Sequence, residues 1–340
     1  MTVRCLVVDD SPVARALLTN MLERDPDIAV IGTANDPYQA REMIREMNPD
    51  VITLDVEMPG MNGLEFLEKL MRLRPMPVVM CSTLTARGAE ASIRALELGA
   101  FDCYAKPERS MLDLHSTDDG RLAALVKQAG QSRQVARHSA QPRSPAGNIR
   151  SGDKIVGLGA STGGVEALTV LLGEYPANCP PTIVVQHMPA TFTAAFAARL
   201  DKHCAAEVTE AKDGDPLLPG RIYIAPGGST HLVAVPGPQP HCRLIATHPV
   251  TGHRPSVDMM FHSLAKGFGT RSVGVILTGM GRDGATGLLE MRNSGAATIG
   301  QDEGSCVVYG MPRAAADSGA CESVVPLGQI CGKVLDLCRK

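Results

Sequence analysis

A chain of 340 residues has room for two domains, taking about 150 residues as an ordinary domain length. With 44% hydrophobic and 20% charged residues it can bury real cores, and a net charge of −3 gives no broad basic field for nucleic acid or an anionic membrane. No Trp, five Tyr and six Phe leave few platforms for stacking single-stranded nucleic acid.

The N-terminal MTVRCLVVDD sets two acids where a signal peptide needs its apolar stretch, and no run approaches the roughly 18 apolar residues that span a bilayer. The ten cysteines form no C-x-x-C pair and sit singly in apolar runs, as small buried hydrophobes in a reducing compartment do. These features predict a cytoplasmic protein without direct membrane insertion.

From residue 1 to 106, short apolar runs alternate with segments of helical period. CLVV, IAVIG, VITL, PVVMC and FDCYA read as five strands. Between them Ala14, Leu17, Leu18 and Met21 repeat at helical spacing, as do Ala40, Met43, Ile44 and Met47. Ser11-Pro12 supplies an N-cap and first-turn proline, and Gly99 is placed to end the helix near Ile93–Leu98. The alternation predicts a doubly wound parallel sheet. Leu122, Leu125 and Val126 predict a further helix, running to about residue 137.

Asp9 and Asp10 follow the first strand, Asp55 the third, Ser82 the fourth, and Lys106 ends the fifth before Pro107. Parallel strands bring their carboxyl ends to one edge, so these groups converge there. Three carboxylates repel unless a cation joins them, and Mg²⁺ suits a few carboxylates with phosphate oxygens. A carboxylate nucleophile, a metal, a lysine and a hydroxyl suit phosphoryl transfer to Asp. With VDDSP, LDVEMPGMNG and AKP in order, residues 1 to about 130 resemble a response-regulator receiver domain of flavodoxin-like fold. The resemblance implies that Asp55 accepts the phosphoryl group from a cognate histidine kinase. It implies that Asp10 and Asp55 bind Mg²⁺, helped by Asp9 and the Glu57 main-chain carbonyl, and that Ser82 and Lys106 sense the modification. It departs at Cys103, where receivers commonly carry a switch aromatic; alternation along the strand points Tyr104 to the other face.

RHSAQPRSPAGNIRSG, residues 137–152, lacks apolar periodicity and is rich in Ser, Pro, Arg and Gly. It predicts a flexible linker over 138–152 between a domain at 1–137 and another at 153–340. In the second, KIVGLG, TIVVQ, SVGVIL and AATIG read as strands, and Val257, Met260, Phe261 and Leu264 mark a helix. RIYIA and HLVAV, set among Gly/Pro turns, suggest hairpins inserted in a parallel α/β domain.

GLGASTGG places Ser161 on a turn between strand and helix, where helix N-terminal amides suit an anion. QHMP places His187 after the next strand and TGMGRDG places Asp283 after another. Nucleophile, base and orienting carboxylate at neighbouring strand ends suit acyl transfer. The same glycine loop suits a dinucleotide, but that use expects an acid at the end of the next strand, where Gln186 and His187 stand. A response regulator with a nucleic-acid-binding output would need a basic face or helix-turn-helix, and neither is evident. GASTGG, QHMP, APGG-S-T-H, HRPSVD and LTGMGRDG in this order resemble the catalytic domain of the chemotaxis-specific protein-glutamate methylesterases, an α/β hydrolase-type domain. The resemblance implies a Ser161–His187–Asp283 triad and an oxyanion hole from the Met280 and Thr162 backbone amides. It also implies methylated chemoreceptor cytoplasmic domains as partners, glutaminase activity beside the esterase, and no cofactor for the hydrolysis. APGG and HRPSVD read as structural or substrate-cleft segments, and His231, His253 and Arg254 remain further candidates.

Overall fold

The computed structural model describes residues 2–83, 85–106, 120–132 and 153–339. These fall into two compact units, one before and one after the stretch 133–152. The expected linker lies outside the described residues, whereas the helix expected to run to about residue 137 ends at Gln131, because Ser132 takes extended backbone.

The first unit runs β1 (Val3–Val8), α1 (Pro12–Glu23), β2 (Ile28–Ala34), α2 (Pro37–Met47), β3 (Val51–Asp55), α3 (Gly63–Leu73), β4 (Val78–Thr83), α4 (Ala86–Glu97), β5 (Asp102–Lys106) and α5 (Arg121–Gln131). All five strands pair in parallel in the order β2-β1-β3-β4-β5. The order reverses between β1 and β3, and a crevice opens outside the carboxyl ends there. Local chemistry sets the helix ends. The Ser11 hydroxyl accepts the Ala14 amide hydrogen ahead of Pro12, and Asp36 accepts those of Tyr38 and Gln39 ahead of Pro37. Gly99, at φ +99°, follows α4 as its sequence position predicts. Helices on both faces bury every residue of β3.

The second unit runs β6 (Ile155–Ala160), α6 (Gly164–Gly173), β7 (Thr182–Gln186), α7 (Ala190–Asp201), β8 (Glu207–Glu210), β9 (Arg221–Ile224), β10 (His231–Val235), β11 (His241–Ile245), α8 (Val257–Phe268), β12 (Ser272–Ile276), α9 (Ala285–Asn293), β13 (Ala297–Gln301), α10 (Met311–Asp317), β14 (Ser323–Val325) and α11 (Leu327–Cys338). Seven strands form one parallel sheet, β14-β13-β12-β6-β7-β9-β8, and β10 with β11 makes a separate antiparallel hairpin. HLVAV therefore lies in a hairpin as expected. RIYI does not: it pairs in parallel with β7 on one side and β8 on the other, inside the seven-stranded sheet rather than with a turn neighbour.

The chain leaves β6 toward β7 and returns to β6's other side at β12, so the switch point lies between β6 and β12. Helix α8 crosses β6 closely because Gly157 and Gly159 have no side chains; a Cβ there would stand 2.5 Å from Leu264 and 2.2 Å from Val257. Val257, Met260, Phe261 and Leu264, the positions marked by helical spacing, are all fully buried in this layer.

A similar approach fixes the start of α3. A Cβ on Gly63 would lie 1.9 Å from the Asp55 carbonyl oxygen, whereas one on Gly173 meets nothing within 4 Å. Gly63→Ala is expected to destabilise the first unit by about 1–3 kcal/mol through overpacking. Gly173→Ala should leave stability unchanged or raised, both read as shifts in the urea unfolding midpoint.

Candidate functional site

Two carboxyl edges gather chemistry-bearing side chains. In the first unit, carboxylate oxygens of Asp9, Asp10 and Asp55 lie within 4.8 Å of one another. Asp9 and Asp55 are buried and Asp10 is exposed. The Lys106 ammonium reaches both buried acids, 2.6 Å from Asp9 Oδ2 and 2.7 Å from Asp55 Oδ1. Burial, and then the Asp9 charge, raise the Asp55 carboxyl above its ordinary value against the pull of Lys106. Burial acts to lower Lys106, but Asp55 and Asp9 outweigh it and raise the ammonium's pKa. The Ser82 hydroxyl, on the adjacent strand, donates to the Gly88 carbonyl in α4. Glu57 stands exposed just past Asp55. Three carboxylates with hard oxygen donors, two of them buried together, suit a small divalent cation.

Cys103, at the position of the missing aromatic, is buried among core residues and its thiol points at the Ser92 carbonyl of α4, 3.4 Å away. Burial pushes that thiol well above its usual pKa.

In the second unit the three expected side chains come from strand ends around the switch point. Ser161 follows β6, His187 follows β7, and Asp283 lies on the loop between β12 and α9. His187 Nε2 lies 2.8 Å from Asp283 Oδ2. That bond puts the ring proton on Nε2 and leaves Nδ1 as the basic nitrogen, buried and without a partner among the described residues. The Ser161 hydroxyl makes no hydrogen bond to His187 among the described residues, a looseness common before substrate arrives. Its backbone is held tightly: the Ser161 amide donates to the Thr278 carbonyl at 3.0 Å, and the Gln186 side-chain amide donates to the Ser161 carbonyl at 2.9 Å.

Asp283 is 1% exposed and accepts four hydrogen bonds. Besides His187, they come from the Ser256 hydroxyl at 2.8 Å and the amides of Val257 at 2.7 Å and Asp258 at 3.1 Å. Asp283 thus sits on the N-terminus of α8, where free amides and the helix dipole favour an anion. Burial acts to raise its pKa; the His187 hydrogen bond and charge and the two amides overcome that and hold it well below the usual range. Its chain neighbour Arg282 is exposed, whereas Asp283 is buried.

Along the strand-to-loop passage after β12, the amides of Leu277, Thr278 and Gly279 are taken by Gly159, Gln301 and Val308. Met280 is the first whose amide has no acceptor among the described residues. The buried Thr162 lies at the opposite turn, where its carbonyl accepts the Thr278 hydroxyl.

Several contributors carried no catalytic role in the sequence. Gln186 holds the serine backbone, and Ser256 caps α8 while donating to Asp283. The fully buried His231 accepts the Ser256 amide hydrogen at Nδ1 and donates from Nε2 to the His248 carbonyl. His253 stacks on His187 with ring centroids 3.8 Å apart. Ser256 alone left a legible sign, as a cap residue just ahead of a helical apolar stripe.

A receiver-type sheet edge ahead of a serine–histidine–aspartate edge defines a class, a response regulator whose output domain is a hydrolase. Residues 156–334 match the family model for CheB methylesterase, residues 5–116 match the response regulator receiver domain, and the chain belongs to the CheB methylesterase family. It is 56% identical to the protein-glutamate methylesterase/protein-glutamine glutaminase 1 of Caulobacter vibrioides, over 98% of each chain. It is 53% identical to the protein-glutamate methylesterase/protein-glutamine glutaminase of Agrobacterium fabrum, over 98% of this chain and 96% of that one. The crystal structure of the Thermotoga maritima CheB methylesterase catalytic domain superimposes with a TM-score of 0.53 at 38% identity, covering 54% of this chain and 98% of that one.

One neighbour of Asp283 carries a pH signature. Burial, and then the Asp283 charge, push Asp258 up to about 6, although the Gly287 amide pulls the other way. A carboxyl raised on folding stabilises below its unfolded pKa, near 4, and loses that contribution as pH rises through the folded value. Asp258→Asn is therefore expected to raise the melting temperature of the catalytic domain at about pH 8 and to give no gain at about pH 4. An equal shift at both values would remove Asp258 as the cause.

Proposed function

We propose that this protein is a phosphorylation-activated serine esterase that hydrolyses glutamate methyl esters on chemoreceptor cytoplasmic domains during chemotaxis adaptation. By the same acyl chemistry it deamidates certain receptor glutamines. The observation that carries the proposal is the 2.8 Å contact between His187 and a buried Asp283 at a switch point whose other strand presents Ser161. His187 Nδ1 takes the Ser161 hydroxyl proton as the oxygen attacks the ester carbonyl. The Met280 and Thr162 amides stabilise the oxyanion. The carbon–methoxy bond breaks, His187 returns the proton, and methanol leaves. Water then repeats the sequence on the glutamyl-serine ester, giving free glutamate carboxylate and free serine.

In the receiver domain, assigned to 1–137, Asp55 is the phosphoryl acceptor and a cognate histidine kinase the donor. Asp9, Asp10, Asp55 and the Glu57 main-chain carbonyl would hold Mg²⁺, which when bound neutralises charge at the phosphoryl oxygens. A phosphoryl group on Asp55 adds charge beside Lys106 and an acceptor within the reach of that edge. Lys106, now shared between Asp9 and Asp55, and Ser82, now bonded to Gly88 in α4, are the residues that respond. The segment 138–152 links this domain to the catalytic domain at 153–340. No helix among the described residues is long and apolar enough to cross a membrane, which suits a cytoplasmic site of action.

Ser161→Ala should keep the fold and lower methanol release from methylated receptor by roughly a thousandfold or more. Near-normal release by the folded variant would sink the assignment. Asp55→Asn should abolish phosphate incorporation from a small-molecule phosphodonor and retain basal hydrolysis. A fragment beginning near Ser151 should exceed the unphosphorylated full-length protein in initial rate and ignore the phosphodonor. A slower fragment would point to a receiver that activates directly or recruits substrate.

A further inference from the structure

The stretch HRPSVD contributes Ser256 to Asp283, and it also places an aromatic ring against the other member of the pair. The rings of His187 and His253 lie 7° from parallel with centroids 3.8 Å apart. We propose that His253 is a positioning residue for His187, fixing the tilt of the imidazole so that Nδ1 faces the serine. The inference rests on His187 acting as the general base.

His187 needs such a partner. Its ring is tied by one side-chain hydrogen bond, Nε2 to Asp283, and its Nδ1 has none. One in-plane bond fixes a pivot but leaves the ring free to rock about it. A face-to-face neighbour removes that freedom without consuming the nitrogen that must accept a proton.

The location of His253 is itself over-determined. Val250 and His253 exchange both backbone hydrogen bonds, at 2.9 and 3.0 Å, around a tight turn. That turn demands positive φ at two successive positions, +51° at Thr251 and +81° at Gly252. A β-branched residue in the left-handed region is costly, so the turn is held by its surroundings. The next residue, Arg254, donates from Nε to the Gly228 carbonyl at 2.6 Å and from Nη1 to the Thr247 carbonyl at 3.0 Å. Two residues further, the Ser256 amide donates to the fully buried His231. The segment is thus pinned on both sides of the ring, and it grips His187 and Asp283 together.

The test is steady-state methanol release from methylated receptor by phosphodonor-treated full-length His253→Ala, His253→Phe and His187→Ala, with melting curves for each. His253→Ala is expected to lower kcat about tenfold with KM within about twofold and an unaltered melting transition. His253→Phe, which keeps a stacking ring without nitrogens, is expected to recover at least half the wild-type kcat. If the alanine variant fails to fold, His253→Gln, polar but without a ring, takes its place with the same expectation. An unaltered kcat in the folded alanine or glutamine variant would overturn the proposal. So would a phenylalanine variant as slow as alanine, since the role would then belong to the ring nitrogens, or a loss confined to KM. Activity retained by His187→Ala would remove the triad and this inference together, whereas an inactive His187→Ala beside a fully active His253→Ala would remove the inference alone.

Discussion

A single buried carboxylate organises the catalytic edge. Asp283 is withdrawn from water, and an isolated charge in that position would be strongly disfavoured. Its oxygens are satisfied by groups from three places: the α8 amides, the Ser256 hydroxyl that caps the same helix, and the ring of His187 at the end of β7. The anion completes the helix end and the helix end completes the anion. Because α8 packs on the glycines of β6, the strand that leads into Ser161, the geometry of all three side chains of the proposed triad hangs on how that helix starts. The strain left over falls on Asp258, whose carboxyl is raised by burial and by the charge beside it.

The receiver edge solves a related problem differently. Asp9 and Asp55 are buried together, Asp9 accepts the Ser11 amide hydrogen at the start of α1, and one ammonium, Lys106, bridges both. A bridge of this kind is movable: added charge on Asp55 changes what Lys106 is drawn to, whereas the amides around Asp283 are fixed by the backbone. Asp55 is bridged by an ammonium, whereas Asp283 takes two of its four hydrogen bonds from main chain.

Strand positions, the two parallel sheets and the residues gathered at each edge were legible because apolar runs, helical spacing and strand-end placement are local signals. Val257, Met260, Phe261 and Leu264 all proved buried for that reason. RIYI was misjudged because its partners β7 and β8 are chosen by tertiary packing, and a short strand among turns looks the same in a hairpin or a sheet. The stack of His253 on His187 and the grip of Gln186 on Ser161 left no periodic trace, since each joins segments distant in sequence. Histidines among turns are common, and only coordinates tell one that packs on a triad from one in solvent.

The crossover between β6 and β12 bears on how the enzyme is made. These strands are hydrogen-bonded neighbours, yet everything from Ser161 to Arg271 is synthesised between them. A ribosome that has already delivered Ser161 and His187 has made neither Ser256 nor Asp283, and the imidazole then has no carboxylate to fix its tautomer. Pairing so remote in sequence is also slow, because a long loop must close before any contact rewards it. On the proposed triad, a chain that stops before Asp283 lacks the carboxylate for its imidazole, so the catalytic edge closes only after β12 has been made.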